Sequence, residues 1–282
     1  MIKRTLVLLC GALAFASCLK ENSPYESQQF IESVDTQGIE IFMSTHKVVE
    51  GENGPELAKT TADDPENLWN TRRTADITEA TTYDELVGHA FADTSRVGVI
   101  DDKGDTILAK TGVWVYVNQR GQSLERPVDS CAVLVQYTGT LLDDQQFTIN
   151  PASVIYLYTE SITGFRRGMK YFEPGHLKWV TITPEPDEDG NQAPPYEVQQ
   201  WADGGQGWII MPSRVGYGNT LSGEIPPNSV LVFNVTLLSI SKYPVVEEGD
   251  ASDKLLLNRG DAPSVWMNTP PAVKTVHRAP AK

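Results

Sequence analysis

Residues 207–240, GWIIMPSRVGYGNTLSGEIPPNSVLVFNVTLLSI, limit what this chain can fold into more than any other stretch. Residues 208–211 are a short apolar run of strand type. Residues 214–228 are rich in turn formers, with three Gly and two adjacent Pro, residue types that set backbone angles regular structure does not use. Residues 229–240 then alternate. Leu231, Phe233, Val235 and Leu237 fall on one face of an extended chain, and Asn234 and Thr236 on the other. A period of two marks a strand with one face in a core. The pattern therefore predicts a strand, a long ordered loop and a buried strand.

More strands precede it. Residues 97–100 and 106–109 flank the turn Asp101-Asp102-Lys103-Gly104-Asp105, a hairpin pattern. That turn lacks the spaced oxygen ligands and the distal Glu of a calcium loop, so it reads as a plain turn. Further on, Val133, Val135 and Tyr137 share one face of a strand, while Gln136, Thr138 and Thr140 share the other. Ile162, Phe165, Met169 and Phe172 recur at three- and four-residue spacing, one face of a short helix. Residues 177–183 read as the next strand. Residues 184–205, rich in Pro, Asp, Glu and Gly, are expected to form an acidic surface loop that breaks it. Trp201, near its end, either covers a neighbouring pocket or anchors the loop.

These segments carry a family resemblance. IMPSRVGYG followed by GEIPPNSVLVFNVTLLSI resembles the end of an FK506-binding-protein (FKBP) type peptidyl-prolyl isomerase domain. There a Pro leads into a Tyr-Gly loop, then Ile-Pro-Pro, then Leu-x-Phe-x-Val on the last strand. Upstream, Gly112, Trp114 to Val117, Gly121, Pro127, Asp129 and the run Val133-Leu134-Val135-Gln136-Tyr137-Thr138-Gly139 follow the family's order and spacing. Phe147 matches the Phe of the family's Phe-Asp pair. Ile162-Thr163-Gly164-Phe165-Arg166-Arg167-Gly168-Met169 is similar to its Ile-x-Gly-Trp-x-x-Gly-Leu/Met segment. The resemblance covers residues 111–242. It implies an α+β fold, an antiparallel β-sheet wrapped round a short α-helix, here with an N-terminal helical and irregular extension.

It also implies a chemistry. An X–Pro bond isomerises over a barrier of about 18–20 kcal/mol. Lowering it requires no nucleophile, metal or cofactor, only a dry pocket that favours the twisted amide. By resemblance, Tyr217 and Phe147 are the catalytic candidates. Tyr137, Ile162, Phe165, Ile225 and Phe233 are the substrate-binding ones. Proline-containing polypeptides are the implied partners. Three positions depart from the family: Thr148 replaces the pocket Asp, Ser161 replaces a Val, and Phe165 stands where the floor Trp usually lies. Each predicts weaker catalysis, so the alternative reading is a non-catalytic domain that binds a partner protein or peptide.

The ends of the chain read differently. Lys3 and Arg4 precede an apolar run over 5–15, too short to span a bilayer, and Ala16-Ser17-Cys18 follows. This resembles the lipobox of bacterial lipoproteins. Residues 1–17 are then a signal peptide and Cys18 a lipidation site. Lys20-Glu21 resembles the charged export signal of surface lipoproteins in Bacteroidetes. A lipid anchor to the cell envelope, on the outer membrane, is implied, on its periplasmic or surface face. Residues 18–96 are expected to be a tether with a helical and loop extension. Ser23-Pro24 opens a helix running to about residue 45, whose apolar stripe is Tyr25, Phe30, Ile31, Val34 and 39–43, interrupted by Gly38. Residues 46–80 read as a long loop, and 84–91 as one short helix. The isomerase-like domain with its lead-in hairpin is placed at 97–242, and 243–282 is an extended tail that wraps the domain or is partly disordered.

Composition excludes other classes. A formal net charge of −14 over 282 residues, with no concentrated basic face, argues against nucleic acid. The four His (His46, His89, His176, His277) are scattered without metal-ligand spacing, and no Gly-x-Ser-x-Gly elbow occurs, which disfavours a hydrolase. Once Cys10 leaves with the signal and Cys18 takes lipid, Cys131 stands alone on a strand and reads as a small buried hydrophobe.

Overall fold

The computed structural model describes residues 24–52, 54–78, 80–100, 104–188, 190–242 and 273–275. The signal segment, Cys18, Lys20-Glu21, Asp101 to Lys103 and nearly all of the tail lie outside the described residues.

Helix α1 spans Pro24–Ser44 and runs through Gly38 without a break. The hairpin β1 (His46–Gly51) and β2 (Gly54–Lys59) follows, where a long loop was expected. Residues 84–91 are not one helix. They hold a single 3-10 turn at Tyr83–Glu85 and, beyond it, the short strand β3 (Ala90–Ala92). Thr82 and Glu85 close a capping box on that turn, with the Thr82 N–H donating to Glu85 Oε2 at 2.7 Å. The expected hairpin is β4 (Arg96–Ile100) and β5 (Thr106–Lys110). Then come β6 (Trp114–Gln119), β7 (Cys131–Thr140) and β8 (Gln146–Tyr156), two short helices, α2 (Leu157–Glu160) and α3 (Thr163–Met169), and β9 (His176–Ile182), β10 (Tyr196–Ala202), β11 (Gly205–Met211), β12 (Leu231–Lys242) and β13 (Val273–Thr275).

Six strands make the main sheet, in the order β3-β6-β11-β12-β7-β8, with antiparallel pairing throughout. Long β12 is central because its alternating apolar side chains can be buried while both of its edges are paired. β11 is buried at every residue, which its unbroken apolar run 208–211 requires: a strand covered on both faces has no polar side. On one face, Ile209, Met211, Leu231, Phe233 and Val235 join Val113, Val115, Val133 and Val135 in a core closed by Phe165, Met169 and Phe172. α3 lies against β11 so closely that a Cβ on Gly168 would sit 2.5 Å from Ile209 Cγ2; a larger residue there would lift the helix off the sheet. Its basic end is pinned by Asp129, which meets Arg166, Arg167 and Lys170 at 3.6, 3.4 and 3.0 Å.

On the opposite face, Trp208, Ile210, Val230 and Val232 pack against Ile39, Phe42 and Met43 of α1 and against Leu68. The N-terminal extension therefore shares a core with the sheet. Its helix is rotated from the expected stripe. Phe30, Val34 and Ile41 face outward, whereas Asp35 is buried.

The segment 184–205 is also more ordered than expected. β10 pairs along the whole of β9, Tyr196 opposite Ile182 to Ala202 opposite His176, and β13 adds to its other side. Between the two strands, the described residues 183–188 and 190–195 are irregular. Trp201 lies opposite Leu177 on that arm.

Candidate active site

Where β7, β8, β12 and α3 meet the loop after β11, the core opens into a cavity of about 480 Å³. It is lined by Tyr137, Phe147, Ile162, Phe165, Tyr217, Ile225 and Phe233, all seven of the side chains singled out in the sequence. Phe233 is the hub. Its ring centroid lies 5.3 Å from Phe165, 5.6 Å from Phe147 and 5.9 Å from Tyr137, each pair edge-on. Tyr137 and Phe165 close the set at 5.7 Å. Edge-to-face pairs contribute about 0.5–1.5 kcal/mol each beyond area burial, so the rings hold one another in place while leaving their outer surfaces to the cavity.

Local sequence explains each position. Tyr137 sits beside a bulge: the β7–β8 register shifts between Val135 and Tyr137, and bulges re-aim side chains next to sites. Phe147 can lie over β7 because its neighbour there is Gly139, where a Cβ would come within 2.5 Å of the ring. Ile162 is the N-cap of α3, with extended backbone, which turns it into the opening between α2 and α3. Phe165 follows on the first turn, 4% exposed, and forms the floor. Ile225 is held by a tight turn in which Ser222 and Ile225 exchange backbone hydrogen bonds of 2.9 and 3.2 Å. Tyr217 is 38% exposed, at the cavity's mouth.

Residues the sequence reading did not assign complete the lining: Ile155, Thr159, Glu160, Ser222, Gly223 and Glu224. Glu160 adjoins the Ser161-Ile162 pair and Ser222 to Glu224 adjoin Ile225, so proximity to assigned residues was their only signal. The Glu160 carboxylate accepts a hydrogen bond from the Tyr156 N–H at 3.3 Å. The three departures from the family also fall here. Thr148 stands on β8 opposite Gly139 and lines the cavity without charge. The Ser161 hydroxyl donates to the Leu157 carbonyl at 2.5 Å, which ties it to α2. Phe165 has no indole N–H to offer.

The surroundings are built for rigidity. Tyr171, just past α3, donates to Asp93 at 2.8 Å, and Thr111 donates to the same carboxylate at 2.7 Å. Burial, with the Asp93 charge adding to it, pushes the Tyr171 hydroxyl up to about 12. Among the described residues, no group of three or more His, Cys, Asp and Glu side chains stands ready to hold a metal ion. Among them also, no helix is long and apolar enough to cross a membrane. Cys131 is free and buried at the start of β7.

No protein-family model matches the chain. The FKBP-type peptidyl-prolyl cis-trans isomerase FkpA of Escherichia coli K12 is 28% identical over 145 residues, 51% of this chain and 44% of that protein. FkpA of Buchnera aphidicola subsp. Schizaphis graminum is 23% identical over 133 residues, 46% of this chain and 41% of that protein. The crystal structure of E. coli FkpA superimposes with a TM-score of 0.35 at 28% identity, covering 48% of this chain and 50% of that one. This chain spans less than half the length of the curated relatives it matches, and those relatives are FKBP-type peptidyl-prolyl isomerases.

Proposed function

We propose that this protein is an FKBP-type peptidyl-prolyl cis-trans isomerase acting on X–Pro bonds of envelope proteins, lipid-anchored through Cys18. The observation that carries the reading is the convergence of Tyr137, Phe147, Ile162, Phe165, Tyr217, Ile225 and Phe233 on one cavity. Sequence relatives that are FKBP-type isomerases favour the same chemistry.

The cavity suits a proline ring. Phe165 and Phe233 form floor and wall, and Phe147, Ile155 and Ile225 add apolar contact. Seated against these rings, the planar amide would lose water that stabilises its polar resonance form, while the twisted amide, less polar at its carbonyl, would lose less. The Tyr217 hydroxyl and the Ile162 N–H are the groups that would fix the neighbouring carbonyls. Binding that improves as the amide twists accelerates exchange without any covalent step.

Thr148 favours a second reading. With no carboxylate at that position, the cavity lacks a charge there, as a pocket that binds proline-containing segments without turning them over would.

Cis–trans exchange of an X–Pro peptide, measured with residues 19–282 and with or without an FK506-type ligand, separates the two. The isomerase reading predicts acceleration that the ligand abolishes, and roughly tenfold lower kcat/KM for Tyr217→Phe, the cost of about one lost hydrogen bond. Peptide affinity without acceleration, in a folded sample, would leave the binding module.

A further inference from the structure

The buried carboxylate on α1 has no part in the proline chemistry, yet it is tied to the loop that bears Tyr217. Asp35 is 3% exposed on the face of α1 that also buries Ile39, Phe42 and Met43. A carboxylate in such a place is costly unless it is hydrogen-bonded. Its Oδ2 accepts two bonds from Ser213, the backbone N–H at 2.8 Å and the hydroxyl at 2.7 Å. One turn earlier on the same helix face, Glu32 Oε1 accepts from Arg214 Nη1 at 2.8 Å, and Arg214 Nη2 donates to the Lys110 carbonyl. Two successive residues are thus gripped from a helix that lies about 180 positions earlier in the chain.

What they hold is a turn. Ser213–Val215 is a single 3-10 turn directly after β11. The Ser213 carbonyl accepts the N–H of Gly216 at 2.9 Å and of Gly218 at 2.8 Å, the two residues that bracket Tyr217. The Gly218 carbonyl in turn accepts the Asn228 N–H at 2.7 Å, which joins this turn to the far end of the loop carrying Ile225. A continuous hydrogen-bonded path therefore runs from α1 through Ser213 to the backbone on both sides of Tyr217. Tyr217 as a residue is 38% exposed, so packing alone does not hold it.

We propose that Asp35 is a positioning residue for Tyr217, and that α1 is a working part of the site rather than a spacer between the envelope and the isomerase-like segment. The proposal rests on the reading of Tyr217 as a pocket residue, and it makes a claim about the loop that can fail by itself. Both Ser213 bonds fall on one oxygen, so an amide oxygen in that place can accept them, and an alanine cannot.

The test compares Asp35→Asn and Asp35→Ala with the exposed α1 variant Glu40→Ala, in the full chain. Two quantities are read: hydrogen-exchange protection of the Ser213, Gly216 and Gly218 amides relative to those of Ile209 and Val235, and kcat and KM for an X–Pro peptide. Asp35→Ala should lose roughly tenfold protection at Ser213, Gly216 and Gly218 but not at Ile209 or Val235, with a loss of similar size in kcat/KM carried mainly by kcat. Asp35→Asn and Glu40→Ala should stay within about threefold of the parent. If Asp35→Ala does not fold, Ser213→Ala, which removes the hydroxyl bond and keeps the N–H bond, should show the same selective loss at smaller size. Unchanged protection at Gly218, or a loss shared equally by the Ile209 and Val235 amides, would overturn the proposal. A parent protein that accelerates no exchange would sink the isomerase reading instead, and selective loss at Gly218 would still support the path from Asp35.

Discussion

The two faces of β11 and β12 are made of alternate residues of the same strands, yet they depend on their side chains in different ways. Ile209, Met211, Phe233 and Val235 face α3 and the cavity, whereas Trp208, Ile210 and Val232 face α1. The cavity face has to keep a space open, so each ring must stand at one position. The apolar strand residues of the α1 face have to exclude water and seat the helix, and volume-conserving apolar exchanges are tolerated in such cores. One strand pair thus carries a face specified residue by residue and a face specified by size and polarity alone.

The largest expected effects come from truncating each face. Phe233→Ala should cost about 3–5 kcal/mol of stability and Ile210→Ala about 2–5 kcal/mol, both by leaving a cavity. Their activities should diverge. Per folded molecule, Phe233→Ala should lower kcat/KM by about a hundredfold, because three other rings lose their common contact and the substrate its alignment. Ile210→Ala should stay within about threefold of the parent. Denaturant titration paired with the exchange assay reads both. Equal losses of activity per folded molecule would remove the distinction between the faces.

A smaller change should go the other way. Thr148→Asp returns a charge to the cavity wall, and charge-assisted hydrogen bonds exceed neutral ones by about 1 kcal/mol, so kcat/KM should rise about fivefold. No gain would mean that Thr148 is not what limits the rate.

The cavity face was legible in the sequence and the α1 face only in part, through Ile39, Phe42 and Met43, for physical reasons. Tyr137, Phe147, Phe165, Tyr217 and Phe233 are separated by glycines and prolines that only a particular set of turns requires, so type and spacing together are specific. The run 208–211 does signal a strand covered on both sides, but an apolar run cannot name its cover. Helical periodicity predicted Phe30 and Val34 in the buried stripe of α1. The structure buries Asp35 instead, because donors on Ser213, far away in sequence, compensate its carboxylate. β3 escaped notice because a three-residue strand owes its existence to pairing with Trp114, Val115 and Tyr116. In the 184–205 segment, Pro, Asp and Gly at the tip masked the short alternation of Tyr196 and Val198 with Glu197 and Gln199, all of which pair with β9.

The smallest predicted effect lies in the extension, next to the α1 face. Asp64 accepts the Thr60 hydroxyl, the Glu66 N–H at 2.9 Å and the Lys47 ammonium at 3.0 Å. The Thr60 bond most of all holds its carboxyl at about 2, below the ordinary 3.8. The folded value is the lower one, so its contribution is present above the ordinary value and is lost as pH falls through about 2. Stability differences between the parent and Asp64→Asn, followed by urea unfolding, should be flat near neutrality and shrink between about pH 4 and pH 2. A difference that grows on acidification would contradict the assignment. The peptide affinity of the two proteins should be the same at neutral pH.

Isoleucine methyl groups report on both faces at once. Ile155, Ile162 and Ile225 line the cavity, while Ile39 and Ile210 lie between α1 and the sheet. A proline-containing peptide titrated into methyl-labelled protein should move the first three signals, saturably and together, and leave the other two in place. Saturable shifts at Ile39 and Ile210 with none at Ile155, Ile162 and Ile225, or no shifts in a folded sample, would contradict the assignment of the cavity as the proline site.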